Sequence, residues 1–144
     1  MNEIDSVELF KEVRSLGIPA DSYMIFGSGI LTALNIRPSK DIDLLVTHEV
    51  FDLLRKQGWQ YGIVEIEGRP RQKVERGIVE AFGAYWCDGI DYNIEQMIEG
   101  ATIIDGIRFM SLEDLLVLKR SMGREKDLED IGRIEKYLVE EVSI

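Results

Sequence analysis

The chain reads as an α/β (α+β) protein: a mixed β-sheet flanked by helices. Short apolar, β-prone runs alternate with stretches whose apolar residues recur at helical spacing. An Asp105-Gly106 pair between the triplets Thr102–Ile104 and Ile107–Phe109 marks a tight antiparallel hairpin. At 144 residues the chain is long enough for one substantial core. Residues 1–144 are therefore expected to form a single domain, with C-terminal helices from about residue 111.

Each element has a local cause. Residues 5–16 form an expected helix: Asp5 and Glu8 stand at capping-box spacing, and Val7, Phe10 and Val13 are among its apolar positions. Gly17 and Pro19 end it. Tyr23 to Phe26 is a short buried strand. Gly27 allows a sharp turn, and Ser28 is a good N-cap for a short helix over 30–34. Asn35 to Lys40, with Pro38, is the loop back to the sheet. A strand over 41–46 leads to a helix over about 49–57, closed by Gly58. Residues 60–67 alternate as a half-buried strand should. Strands over 73–82 and 89–94 follow, separated by AFGAYWCDG. Thr102 to Ile104 and Ile107 to Phe109 form the hairpin. Ser111 and Asp114 open a helix to about Met122, which Gly123 breaks or bends. Residues 125–139 make a last amphipathic helix. There are no repeats, linkers or low-complexity segments.

The chemistry concentrates in YMIFGSGILTALNIRPSKDIDLLV, residues 23–46. Gly27-Ser28 ends one apolar run, where exposed backbone N–H groups suit a phosphate. After twelve intervening residues, Asp41-Ile42-Asp43 opens the next run. Two carboxylates two residues apart in a strand share a face and repel unless a cation lies between them. Oxygen ligands of this kind suit Mg²⁺ bound together with substrate phosphates.

This stretch resembles the signature of the DNA polymerase β-like nucleotidyltransferase superfamily: apolar strand, Gly-Ser, short helix, then Asp-x-Asp on the next strand. The resemblance implies a third carboxylate on a later strand. Asp91, in GIDYNI, is the better match, and Glu80, in GIVEAF, competes with it. The rear half, with Lys119, Arg124, Lys126, Asp127, Asp130 and Ile131, looks like small relatives of the AbiEii-type toxins. The likeness spans roughly residues 20–138. It implies that Asp41, Asp43 and Asp91 bind one or two Mg²⁺ ions. It also implies that Gly27 and Ser28 hold phosphates, that Lys119 contacts the triphosphate, and that Asp127 orients the nucleotide or the acceptor. The implied reaction moves a nucleoside monophosphate from a nucleoside triphosphate to a hydroxyl of an RNA, a protein or a small molecule, releasing pyrophosphate.

Composition narrows the partners. The net charge of −10 argues against broad binding of long nucleic acid. One basic stretch, RPRQKVER at residues 69–76, has two readings. It is a solvated hairpin loop, or Arg69, Arg71, Lys73 and Arg76 form a rim that meets phosphates of a nucleotide or an RNA acceptor. No run of about 18 apolar residues implies a membrane span, and the acidic N-terminus is unlike a signal peptide. The lone Cys87 excludes an internal disulfide framework and fits a cytoplasmic protein. With a single His48 and no partner pattern, cysteine nucleophile and zinc chemistry are disfavoured. The absence of an acceptor-binding helical domain points to a small acceptor or a partner subunit, and a homodimer is one such arrangement. It also supports a second reading: a non-catalytic binding or regulatory partner with this fold, as in a toxin–antitoxin pair. A mixed α/β domain with no ligand is a third.

Overall fold

The computed structural model describes residues 2–142. In chain order the elements are α1 (Ser6–Ser15), β1 (Tyr23–Phe26), α2 (Gly29–Ala33), β2 (Ile42–Val46) and α3 (His48–Lys56), followed by the strands β3 (Gln60–Ile66), β4 (Arg69–Arg76), β5 (Val79–Phe82), β6 (Tyr85–Cys87) and β7 (Ile90–Tyr92). Next come α4 (Ile94–Glu99), the hairpin β8 (Thr102–Ile104) and β9 (Ile107–Phe109), and finally α5 (Leu112–Met122) and α6 (Glu125–Val142). Seven strands form one mixed sheet in the order β3-β4-β5-β2-β1-β9-β8, and β6 pairs with β7 in a separate two-stranded sheet.

The topology sets two strands side by side. β2 is antiparallel to β1, and α3 then carries the chain to the sheet edge at β3. The meander β3-β4-β5 walks back inward and lays β5 parallel to β2. Ile25, Ile42, Leu44, Val79 and Ala81 lie in the core, which also takes Leu9, Ile30, Leu31, Leu115 and Ile134 from the helices. All of these are apolar side chains whose burial drives the collapse.

Local signals explain the caps. Asp5 and Glu8 make the full capping box on α1, Ser111 accepts from the Asp114 N–H at the start of α5, and Gly123 ends that helix in the left-handed region at φ 60°. The Asp105-Gly106 turn has both residues at positive φ, as a two-residue hairpin of right-handed twist requires.

Three expectations need correction. Residues 69–76 are not a loop: they are β4, paired with β3 from Arg69 to Glu75. Pro70 is tolerated because β4 faces β5 only over Lys73–Arg76, so the first half of β4 has a single neighbour. The run 73–82 is two strands, turned by Gly77 at φ 60°. The expected strand over 89–94 stops at Tyr92, where Asn93 caps α4 by accepting from the Gln96 N–H.

Candidate functional site

The register gathers a row of acidic side chains on one sheet face. Phe26 of β1 faces Asp43 of β2, Asp43 faces Glu80 of β5, and Glu80 faces Glu75 of β4. Asp41, exposed, stands one residue before β2 and two before Asp43, so strand alternation turns it to the same side. Asp43 and Glu80 are half-buried. Lys73 lies between Glu75 and Glu80, with its Nζ 3.4 Å from a carboxylate oxygen of each. It is the resident counter-ion that permits two glutamates to sit opposite each other.

Asp43 carries the electrostatic strain of this row. Its pKa is pushed up from 3.8 to about 7 by burial first, then by the like charges of Asp41 and Glu80; Arg71 and Lys73 offset part of this. Four carboxylates, Asp41, Asp43, Glu75 and Glu80, face two cations, Arg71 and Lys73. When all are ionised, two negative charges remain in excess, a match for one divalent ion.

The Gly-Ser turn meets this cluster. Gly27 sits at φ 70°, in the region that a side chain disfavours. A Cβ built there would lie 3.9 Å from Asp43 Oδ2, so the turn and the carboxylate are neighbours. Ser28 occupies the N-cap position of α2 but makes no capping hydrogen bond. Gly29 is required for another reason: a Cβ there would fall 2.3 Å from Ile25 Cγ2, so α2 packs onto β1 closer than any other residue allows. With only five residues, α2 contributes little macrodipole.

The other expected site residues lie apart from this row. Asp91 is in β7, outside the seven-stranded sheet, exposed and 2.8 Å from Arg69 Nη1. It does not share a face with Asp43; Glu80 does. Lys119 and Asp127 are buried and bound to each other. Lys119 Nζ is 3.2 Å from Asp127 Oδ1 and 2.9 Å from Asp130 Oδ2. Asp127 also accepts from the backbone N–H and Nε of Arg124 at the start of α6. Asp130 accepts two hydrogen bonds of 2.7 Å from Arg37. Burial raises the pKa of Asp130, but the bonds from Arg37 and Lys119 outweigh it and hold the group at about 2.

This charged chain has a visible role. Arg37 belongs to the loop between α2 and β2, the loop that delivers Asp41. The same loop is tied by backbone bonds between Ile4 and Ser39 and by the buried Thr32–Ser39 hydroxyl pair. The rear motif therefore anchors the loop in front of the carboxylates. Sequence spacing could not reveal that Arg37 is its partner, since 93 residues separate Arg37 from Asp130.

Two further features are separate from the row. Glu67, Cys87 and Asp88 group their ligand atoms within 4.8 Å. The Glu67 carboxylate there accepts from the backbone N–H groups of Asp88 and Gly89, which accounts for it as a clasp between two hairpin tips. A cavity of about 240 Å³ is lined by His48, Phe51, Asp52, Arg71 and Gln72 among others, and by none of the carboxylates of the row.

Among the described residues, no helix is long and apolar enough to cross a membrane. No family model, curated protein or solved structure matches the chain.

Proposed function

We propose that the protein is a magnesium-dependent nucleotidyltransferase of the polymerase β-like fold, moving a nucleoside monophosphate from a nucleoside triphosphate to a hydroxyl acceptor. One observation carries the reading: the Gly27 turn, Asp43 and Glu80 come together from three parts of the chain, with Asp41 beside them. The resemblance of residues 23–46 to that superfamily supports it, with Glu80 in place of Asp91 as third carboxylate. The donor set fits Mg²⁺: all oxygen, anionic in excess, and partly open to solvent.

Asp41, Asp43 and Glu80 would hold the metal. Bound there, Mg²⁺ would neutralise phosphate charge and stabilise the attacking and leaving oxygens. The backbone N–H groups at Gly27 and Ser28, with the Ser28 hydroxyl, would receive terminal phosphate oxygens. The Glu80 carboxylate would take the proton from the acceptor hydroxyl, and the product would be pyrophosphate. Positioning supplies much of the acceleration in such transfers. Lys119 and Asp127 enter this reading as anchors of the Asp41 loop.

The burial of Lys119 and Asp127 also favours the second reading, a non-catalytic partner protein of the same fold, because it removes two of the expected nucleotide contacts. Turnover separates the two readings. Thermal shift with each ribonucleoside triphosphate, with and without Mg²⁺, tests the site itself. The expected result is stabilisation that needs both metal and triphosphate and disappears in Asp41→Asn and Asp43→Asn. No stabilisation by any nucleotide at millimolar concentration would overturn the proposal.

A further inference from the structure

Among the described residues, the buried charges are partnered with one exception. Among the described residues, the buried polar and charged side chains are Thr32, Ser39, Arg71, Lys119, Asp127 and Asp130. Thr32 and Ser39 bond each other, and the last three form one ion-paired cluster. Arg71 is only 7% exposed, yet its Nε has no hydrogen-bond partner, and among the described residues no carboxylate lies within ion-pair distance of it. Its guanidinium lies over the Phe82 ring, 4.0 Å from the centroid, and 5.6 Å from that of Phe26. Phe26 is the register neighbour of Asp43. Strand alternation puts Arg71, Lys73 and Glu75 on one face of β4, and the register with β5 makes it the face of Glu80 and Phe82.

A buried cation without hydrogen bonds is costly. A counter-ion serving only to soften Asp43 would gain most by closing to contact, and Arg71 does not close. The guanidinium instead sits against the Phe82 ring and leaves its Nε–H unmatched. That fork is the shape that grips two oxygens of one phosphate. We infer that Arg71 is a phosphate-binding residue, whose guanidinium takes a phosphate group of the nucleotide brought to the Asp41–Asp43–Glu80 cluster. The inference rests on the nucleotidyltransferase reading and adds the cation that reading lacks once Lys119 is committed elsewhere.

Titration calorimetry with magnesium tripolyphosphate tests it on the wild type, Arg71→Met, Arg71→Lys and Asp43→Asn, with a ligand-free melt of each. The expected result is at least tenfold weaker binding in Arg71→Met and a several-fold loss in Arg71→Lys, whose ammonium lacks the planar fork. Arg71→Met should melt no lower than the wild type, because methionine suits the aromatic setting better than an unpartnered charge. A merely structural arginine would show the reverse: a lower melting temperature and unchanged affinity. If Asp43→Asn loses binding and both Arg71 variants keep wild-type affinity, the metal site stands and the Arg71 inference is overturned. If the Arg71 variants lose binding and Asp43→Asn keeps it, the phosphate site stands and the metal assignment falls. A wild type that binds nothing overturns both. Should Arg71→Met fail to fold, wild-type affinity in Arg71→Lys is sufficient to overturn the inference.

Discussion

Asp43 shows how a single side chain can be costly to the fold and useful to a ligand. Its folded pKa of about 7 lies above its unfolded value, so the folded protein holds that proton more tightly. Stability from this group is fully present below about pH 4 and lost as pH rises through 7. The metal-free protein should therefore be less stable at pH 8 than at pH 5. Asp43→Asn should abolish this slope and gain on the order of 2 kcal/mol at pH 8, after discounting for water access. Thermal melts across pH in a chelating buffer check the prediction, and a flat wild-type profile between pH 4 and 8 would refute it. Mg²⁺ should restore what ionisation removes. The sequence makes Asp41 and Asp43 legible because strand alternation alone aligns them. It offers Arg71 only as one of four candidate cations for meeting phosphates, because nothing in RPRQKVER says that one of them is buried against Phe82 while Arg69 and Arg76 stay exposed.

Elements were readable wherever their ends carry local chemistry. The α1 capping box, the Ser111 cap, Gly123 and Asp105-Gly106 act within a few residues, so α1, α5 and the β8–β9 hairpin follow from sequence. β4 was obscured because its charges and Pro70 imitate a loop, while its strand character comes from pairing with β3. The α5–α6 pair is joined by the Lys119–Asp127–Asp130 cluster, and its function was hidden for the same reason: its partner is remote. Removing one member leaves the others charged and buried. Asp130→Ala should cost about 3–5 kcal/mol, measured by urea unfolding, whereas the exposed Arg14–Asp105 pair should yield under about 1 kcal/mol in a double-mutant cycle. The depressed pKa of Asp127 and of Asp130, the latter at about 2, gives the opposite pH sign to Asp43. Asp130's stabilisation is present above about pH 4 and is lost as pH falls toward 2, and Asp127 contributes with the same sign.

At the scale of the whole molecule, strand order decides which carboxylates meet. Asp91 and Glu80 look alike in sequence, each in a short apolar run. Only the return of the β3-β4-β5 meander to β2 brings Glu80 opposite Asp43, and only the departure of β6 and β7 from the main sheet takes Asp91 to Arg69. Glu80→Gln should abolish metal-dependent triphosphate binding, and Asp91→Asn should leave it within about twofold. The same calorimetric titration reads both, and loss in Asp91→Asn alone would reverse the assignment.

The chain of alternating charges from half-buried Arg37 through buried Asp130 and Lys119 to Asp127 also limits how the protein can diverge. Each member bonds another, so a single replacement weakens the pairing of a neighbouring interior charge. Replacements among the four are therefore expected to be inherited in correlation. Joint inheritance of that quartet, rather than Asp-x-Asp alone, is the mark by which a true relative can be told from a chance resemblance.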